Sequence, residues 1–377
     1  MITIMNISKN QAITYYNKDD YYTLPNDVNN GWQGHLAPKY NHGNIVKDFN
    51  NAIISMKNPK RVGYDICFSP PKSMSIAIIL DDKIEEEILT IHEKIVSNIL
   101  KFIESDIVTR VTTNAITENV KTGKFAVMKF HHYVSREQDI QIHIHAVILN
   151  ITKYNKKYYA ISNESIYYNK LLYQHLYHNQ LAKALQKAGY NLYVTDFSKG
   201  FFEIDGITRK YIENFSKRHF QILAKLREWN KFSPKAHARA VILTRKPKKY
   251  IALEILKEKW RNEIKDIGYI TINKSSFPIK TDIGTKRKIF YSALDKISNN
   301  EYVFTKRALE LSVLAEGVID DITKTFFDKM LNEALNNENI LFIGRALGTV
   351  NEEIFYTTYE IVQKKPNIIK NIMLLFE

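Results

Sequence analysis

His143 and His145 lie in the run Gln141-Ile142-His143-Ile144-His145-Ala146-Val147-Ile148-Leu149-Asn150, with His132 eleven residues before His143. A β-strand projects alternate residues to one face, so His143 and His145 point the same way while Ile142, Ile144 and Ala146 point the other. The stretch Lys124 to Ser135 also reads as a strand, and Arg136-Glu137-Gln138-Asp139 is a polar connection of hairpin length. A register centred on that connection sets His132 opposite His143 and brings three imidazoles to one metal-sized spot. Imidazole is the commonest side-chain metal ligand, and three of them leave positions on an ion open to a substrate. Two histidines alone would read as a solvated strand face. The third, at hairpin spacing, turns the reading towards a metal site.

A second constellation is Tyr15-Tyr16-Asn17-Lys18-Asp19-Asp20-Tyr21-Tyr22. Paired phenols make poor core, because each buried hydroxyl needs a hydrogen-bond partner. Tyrosine can instead attack a phosphodiester and keep the bond energy in a phosphotyrosine link. The chain has 23 tyrosines, so the pairs taken alone also fit an ordinary helix start. In the third segment, Gly63 to Ser75, Asp65 sits on an apolar run where a carboxylate without a partner is costly. An imidazole ligand or a phenol proton would serve as that partner. Lys72, Ser69 and Ser73 flank a Pro-Pro turn that could hold a phosphate or simply cap a helix.

The elements that must position these groups follow from periodicity. Residues 1–22 read as a strand and then a helix bearing the tyrosines, and 62–69 and 76–80 as apolar strand-like or helix-entry runs around the Pro-Pro turn. Ile84, Ile88, Ile91, Ile95, Ile99 and Ile103 mark a helix to Ser105. Strands follow at 107–117, 124–135 and 141–152, then a helix at 163–189 and a short strand at 200–206. Residues 207–230, 233–245 and 250–267 read as helical. The fold class is α+β, an antiparallel sheet with a helical cap. Residues 272–300 are polar and weakly periodic and read as a linker. Residues 301–377 read as a small module of two helices and a hairpin.

The order of these motifs resembles conjugative relaxases of the MobF class, the TrwC/TraI-like nicking domains found at the N-terminus of relaxase–helicases. The resemblance rests on the paired tyrosines, Trp32-Gln33-Gly34 and Asp65…Phe68-Ser69-x-Pro71-Lys72-Ser73-x-Ser75. It continues through Ser135-Arg136-Glu137…Gln141-x-His143-x-His145-Ala146-Val147-x-x-Asn150, Leu181-Ala182…Leu185…Gly189-Tyr190 and Phe215-Ser216-Lys217-Arg218. Departures are a short spacer between the tyrosine pairs and Ile140, where the family usually has proline. The resemblance implies a relaxase domain over 1–271, an HUH palm with helical fingers closing on DNA, and a winged-helix-like region over 301–377. It implies a metal-dependent nickase and strand transferase acting on single-stranded origin-of-transfer DNA. Tyr15 would be the first nucleophile and Tyr21 a second, with Tyr16 and Tyr22 as alternates. His132, His143 and His145 would hold a divalent cation, and Asp65 would orient a ligand histidine or accept the phenol proton. Mg²⁺ or Mn²⁺ is the expected ion, with Zn²⁺ and Ni²⁺ also accepted by such a set.

Charge agrees with a nucleic-acid partner. The chain carries +14, and residues 301–377 hold 8 Lys and Arg against 12 Asp and Glu, so the basic excess lies before them. Phosphate contacts are expected from Lys72, Arg136, Lys217, Arg218, Arg245, Lys246, Lys248 and Lys249. One cysteine excludes an internal disulfide framework and fits a reducing, cytoplasmic compartment. No apolar run has membrane-spanning length. The sequence has no Gly-x-x-x-x-Gly-Lys-Ser/Thr run, so a P-loop motor is not expected within it. A separate helicase and conjugation coupling proteins are the expected protein partners. Two other readings stay open here: a rolling-circle replication initiator with the same His and Tyr chemistry, and a non-catalytic origin-binding protein.

Overall fold

The computed structural model describes residues 1–16, 31–42, 45–245, 251–275, 281–347 and 352–376. Strand β1 (Ile2–Ile7) leads into helix α1 (Lys9–Tyr16), followed by β2 (Trp32–Gln33) and α2 (Ile45–Ser55). Next come β3 (Gly63–Phe68), α3 (Lys72–Ala77) and α4 (Asp82–Ser105). A ribbon, β4 (Val108–Thr113) with β5 (Ile116–Lys121), precedes the central hairpin β6 (Val127–Val134) and β7 (Ile140–Leu149). A small ribbon, β8 (Thr152–Tyr154) with β9 (Lys157–Tyr159), closes this part. The main sheet has the order β1-β3-β7-β6-β2, with every neighbouring pair antiparallel.

Register divides the sheet into two faces. His132 pairs with His143, Phe130 with His145, and Cys67 with His145 on the other side, so these side chains share one face. Farther along that face, Val147, Met128 and Phe130 pack with Ala12 of α1 and with Phe49, Ala52 and Ile53 of α2. Gly34, at φ +100°, lets the chain turn after β2 where a Cβ would come 2.5 Å from the Phe125 ring.

The opposite face is covered by α4. Asp81 caps that helix by accepting from the Lys83 and Ile84 amides, and Ile88, Val96, Ile99 and Ile103 are fully buried along its inner stripe. Glu93 projects from it towards β6, pairing with the Lys129 ammonium and lying 3.0 Å from Nε2 of His131. Ser97 adds a hydrogen bond of 3.0 Å to the same carboxylate. Burial would raise the Glu93 pKa, but the His131 hydrogen bond and the Lys129 charge outweigh it and bring it from 4.5 down to about 2. Its stabilising contribution is therefore complete above pH 4.5 and is lost as pH falls towards 2. Glu93→Gln leaves the Lys129 ammonium buried beside no counter-charge, at an expected cost of about 3–5 kcal/mol at neutral pH. Urea melts check this; an unchanged midpoint would show that the pair contributes nothing to stability.

The chain forms two compact units, Met1–Ile161 with Glu203–Asn273, and Ser162–Phe202 with Lys274–Glu377. Elements α5 (Glu164–Tyr168), α6 (Lys170–Lys187), β10 (Leu192–Asp196) and β11 (Phe201–Ile204) come first after the sheet. The first unit then gains α7 (Arg209–Asn214), α8 (Lys217–Trp229), α9 (Pro234–Leu243) and α10 (Leu253–Ile267). These helices attach to the β6–β7 turn: Trp260 donates to the Gln138 carbonyl at 2.8 Å, and Lys217 pairs with Asp139 at 3.0 Å.

The second unit contains α11 (Ile283–Asn300), β12 (Phe304–Thr305), α12 (Lys306–Glu316) and α13 (Lys324–Asn336). Strands β13 (Ile340–Leu347) and β14 (Glu352–Thr358) and helices α14 (Tyr359–Lys364) and α15 (Pro366–Met373) complete it. The linker expected over 272–300 is corrected here. Asp282 caps α11, and Phe290, Ala293 and Leu294 are buried. Their helical spacing is diluted in the sequence by lysine, serine and asparagine, which hid it. By packing, residues 162–202 belong with the second unit. Leu172 and Leu176 of α6 pack on its apolar cluster, and Asn179 donates to the Leu314 carbonyl at 2.9 Å.

Candidate active site

Antiparallel pairing of β6 with β7 assembles the imidazoles as their spacing demands. Ring centroids of His132 lie 4.8 Å from those of both His143 and His145, and the latter two are 5.2 Å apart. Both histidines of β7 have Nδ1 engaged behind them. Nδ1–H of His143 donates to the Gln141 carbonyl at 2.8 Å, which makes Nε2 the nitrogen that faces the site. Nδ1–H of His145 faces both Asp65 oxygens, at 2.8 and 2.7 Å, with the same consequence. Asp65 is 3% exposed, and its neighbour on the sheet is Val147, so His145 is its diagonal partner. Burial lowers the proton affinity of His145, yet the Cys67 sulfur and the Asp65 carboxylate outweigh it and hold its pKa well above the ordinary value.

The donor set fits a metal ion. Nδ1 of His132 and Nε2 of His143 are 3.1 Å apart. Two nitrogens sharing one ion through bonds of about 2.0–2.1 Å are separated by roughly 2.9–3.4 Å. Ligand atoms of Cys67, His143 and His145 also lie within 4.8 Å of one another. The sequence reading missed this sulfur because cysteine was weighed for redox compartment. The alternation Asp65-x-Cys67 opposite His145 carries the signal that was available.

The expected phosphate contacts divide differently from the sequence reading. Nζ of Lys72 donates to the Ile140 carbonyl at 2.5 Å and to Oε1 of Gln141 at 3.0 Å, clamping the start of β7. Burial pushes its pKa down to about 8 despite the opposing charges of Asp139 and Glu203. Lys217 is paired with Asp139 and with Glu263, and Arg218 donates to the Thr244 and Val241 carbonyls at the end of α9. These three cations therefore brace the protein. Arg136 sits in the β6–β7 turn, and Arg245 is exposed just beyond α9. Lys246, Lys248, Lys249, Tyr21 and Tyr22 lie outside the described residues.

The backbone of Tyr15 and Tyr16 forms the last turn of α1, three and four residues beyond Ala12. Ala12 packs on the histidine-bearing face of the sheet, so α1 and the imidazoles share one side. Among the described residues, no helix is long and apolar enough to cross a membrane.

Comparison with known proteins agrees with this arrangement. The family model of the TrwC relaxase matches residues 9–267. The multifunctional conjugation protein TraI of Escherichia coli strain K12 is 28% identical over 287 residues, covering 70% of this chain. That alignment spans 16% of TraI, so the chain corresponds to a small part of that protein. Conjugative relaxase TrwC, solved metal-bound in complex with oriT DNA, is similar with a TM-score of 0.64 and 29% identity, covering 72% of this chain and 99% of that one. TrwC with a 27-mer DNA comprising the recognition hairpin and cleavage site is similar at a TM-score of 0.63 and 28% identity, covering 72% of this chain and 99% of its own. A palm whose hairpin clusters its histidines and whose motifs align along two thirds of the chain leaves one conclusion: this chain belongs to the TrwC relaxase family.

Proposed function

We propose that this protein is a conjugative DNA relaxase that nicks single-stranded origin-of-transfer DNA and later rejoins or transfers the strand. The observation that carries the reading is the His132–His143 pair beside a His145 whose Nδ1 is fixed by Asp65. His132, His143 and His145 are the proposed cation ligands. When bound, the cation supplies positive charge against the phosphoryl oxygens of the scissile group.

The chain's own residues account for the rest. The Tyr15 phenolic oxygen attacks phosphorus, the bond to O3′ breaks, and a 5′-phosphotyrosine and a free 3′-hydroxyl result. An ordinary phenol is mostly protonated at neutral pH, so the attacking oxygen loses its proton as the P–O bond forms while the departing O3′ gains one. Tyr21, with Tyr16 and Tyr22 as alternates, is proposed for the second transfer. Arg136, Arg245 and the run Lys246, Lys248 and Lys249 are proposed to meet DNA phosphates. A DNA substrate and a single cysteine suit the cytoplasm, with a helicase chain and coupling proteins as partners.

The test is incubation of the full chain with labelled single strands tiled across DNA beside its own gene, with Mg²⁺ or Mn²⁺. A denaturant-resistant protein–DNA band is expected, lost on chelation and restored by added metal. Tight binding without any covalent band would make the protein an origin-binding module instead.

A further inference from the structure

We propose that Cys67 is a direct ligand of the cation held by His143 and His145, making the site a nitrogen–sulfur centre that selects thiophilic ions such as Zn²⁺ or Co²⁺ over Mg²⁺. The inference deepens the relaxase reading and borrows from it only the site's identity. Three observations carry it. Cys67 is the residue directly opposite His145 across the β3–β7 ladder, so the two side chains rise together from one face. Its sulfur and the nitrogens of both histidines lie within 4.8 Å of one another. The rigid setting matters as well: β3 is a central strand, paired on one side with β1 and on the other with β7. Asp65, two residues earlier on the same face, fixes the His145 ring beside the sulfur.

The chemistry is simple. On metal binding the S–H bond breaks, its proton leaves to water, and a sulfur–metal bond forms. Thiolate is a soft donor that favours Zn²⁺ and Co²⁺, whereas Mg²⁺ prefers oxygen ligands and sheds its water reluctantly. A zinc-like ion can expand to five-coordination, which keeps a place for a phosphate oxygen even with His132 also bound.

Cobalt reports the ligand directly. The metal-free full chain is titrated with Co²⁺, and the wild type is expected to show a near-ultraviolet sulfur-to-cobalt charge-transfer band together with visible d–d bands. Cys67→Ser should lose the first and keep the second. Its Zn²⁺ affinity, from competition with a chromophoric chelator, should fall by roughly 10- to 100-fold, since losing even an outer-shell partner costs that much. Matching near- and far-ultraviolet circular dichroism shows that the variant is folded. Bound Co²⁺ with no charge-transfer band, or the same band in Cys67→Ser, overturns the proposal. The covalent DNA band in Mg²⁺ or Mn²⁺ is read separately, so failure of the sulfur ligand leaves the nickase reading standing. Absence of that band sinks the nickase reading alone.

Discussion

Tyr15→Phe is expected to cut the initial rate of covalent protein–DNA adduct formation on the order of 10³-fold or more, down to what Tyr16 and Tyr21 supply. The substitution removes one oxygen and changes neither the shape of the ring nor the helix propensity of the position appreciably. The helix that bears it is fixed to the site side of the sheet. Ala12 is fully buried among Val147, Met128 and Phe130, and Phe130 is the neighbour of His145 on the ladder. Three residues past Ala12, at about 1.5 Å of rise each, the Tyr15 backbone is displaced by only about 4.5 Å along the helix. DNA binding at equilibrium should be unaffected, because the role proposed for the phenol is in the bond-making step. Gel assays after denaturation, paired with anisotropy for binding, separate these effects. An unchanged adduct yield in Tyr15→Phe would reassign the nucleophile to Tyr16 or Tyr21.

What the sequence disclosed, and what it withheld, follows from the range of the interactions. The β6–β7 hairpin was legible because register is a local property: a short polar turn and a two-residue period bring His132 to His143. The helix of α4 was equally plain, since its isoleucines repeat at helical spacing and Asp81 caps it. Contacts between distant segments were not legible. Nothing local in Lys72 distinguishes a phosphate ligand from a clamp on the Ile140 carbonyl, because its acceptor lies 68 residues away. Arg218 likewise found its carbonyl acceptors on another helix, although its charge alone suggested DNA. Cys67 needed the β3–β7 register before its sulfur could be set beside His145. The second unit shows the same limit at larger scale, since Ser162–Phe202 joins Lys274–Glu377 across an intervening stretch of more than seventy residues. Amphipathic helices announce that they bury a face, but not which partner buries it.

Asp65→Asn should lower the site's metal affinity by about 10- to 100-fold while leaving the adduct rate at saturating metal much less affected. Both carboxylate oxygens of Asp65 face Nδ1 of His145, and the group is nearly sealed from solvent. That carboxylate fixes the ring with Nδ1–H towards itself, so that Nε2 is the nitrogen turned to the ion, and adds negative charge behind the ligand. An asparagine can turn its amide N–H towards the ring, reverse the tautomer and withdraw that charge. The expected loss is therefore one of metal affinity, which excess ion offsets, as for a positioning residue that acts through His145. Had Asp65 instead been the base that accepts the phenol proton, its replacement would lower the rate at every metal concentration. Mn²⁺ titrations of adduct formation, with free Mn²⁺ followed by electron paramagnetic resonance, separate the two. A right-shifted Mn²⁺ curve reaching a near-normal plateau supports orientation. An unshifted curve with a collapsed plateau assigns the carboxylate to proton transfer, against the short contacts it makes with the imidazole.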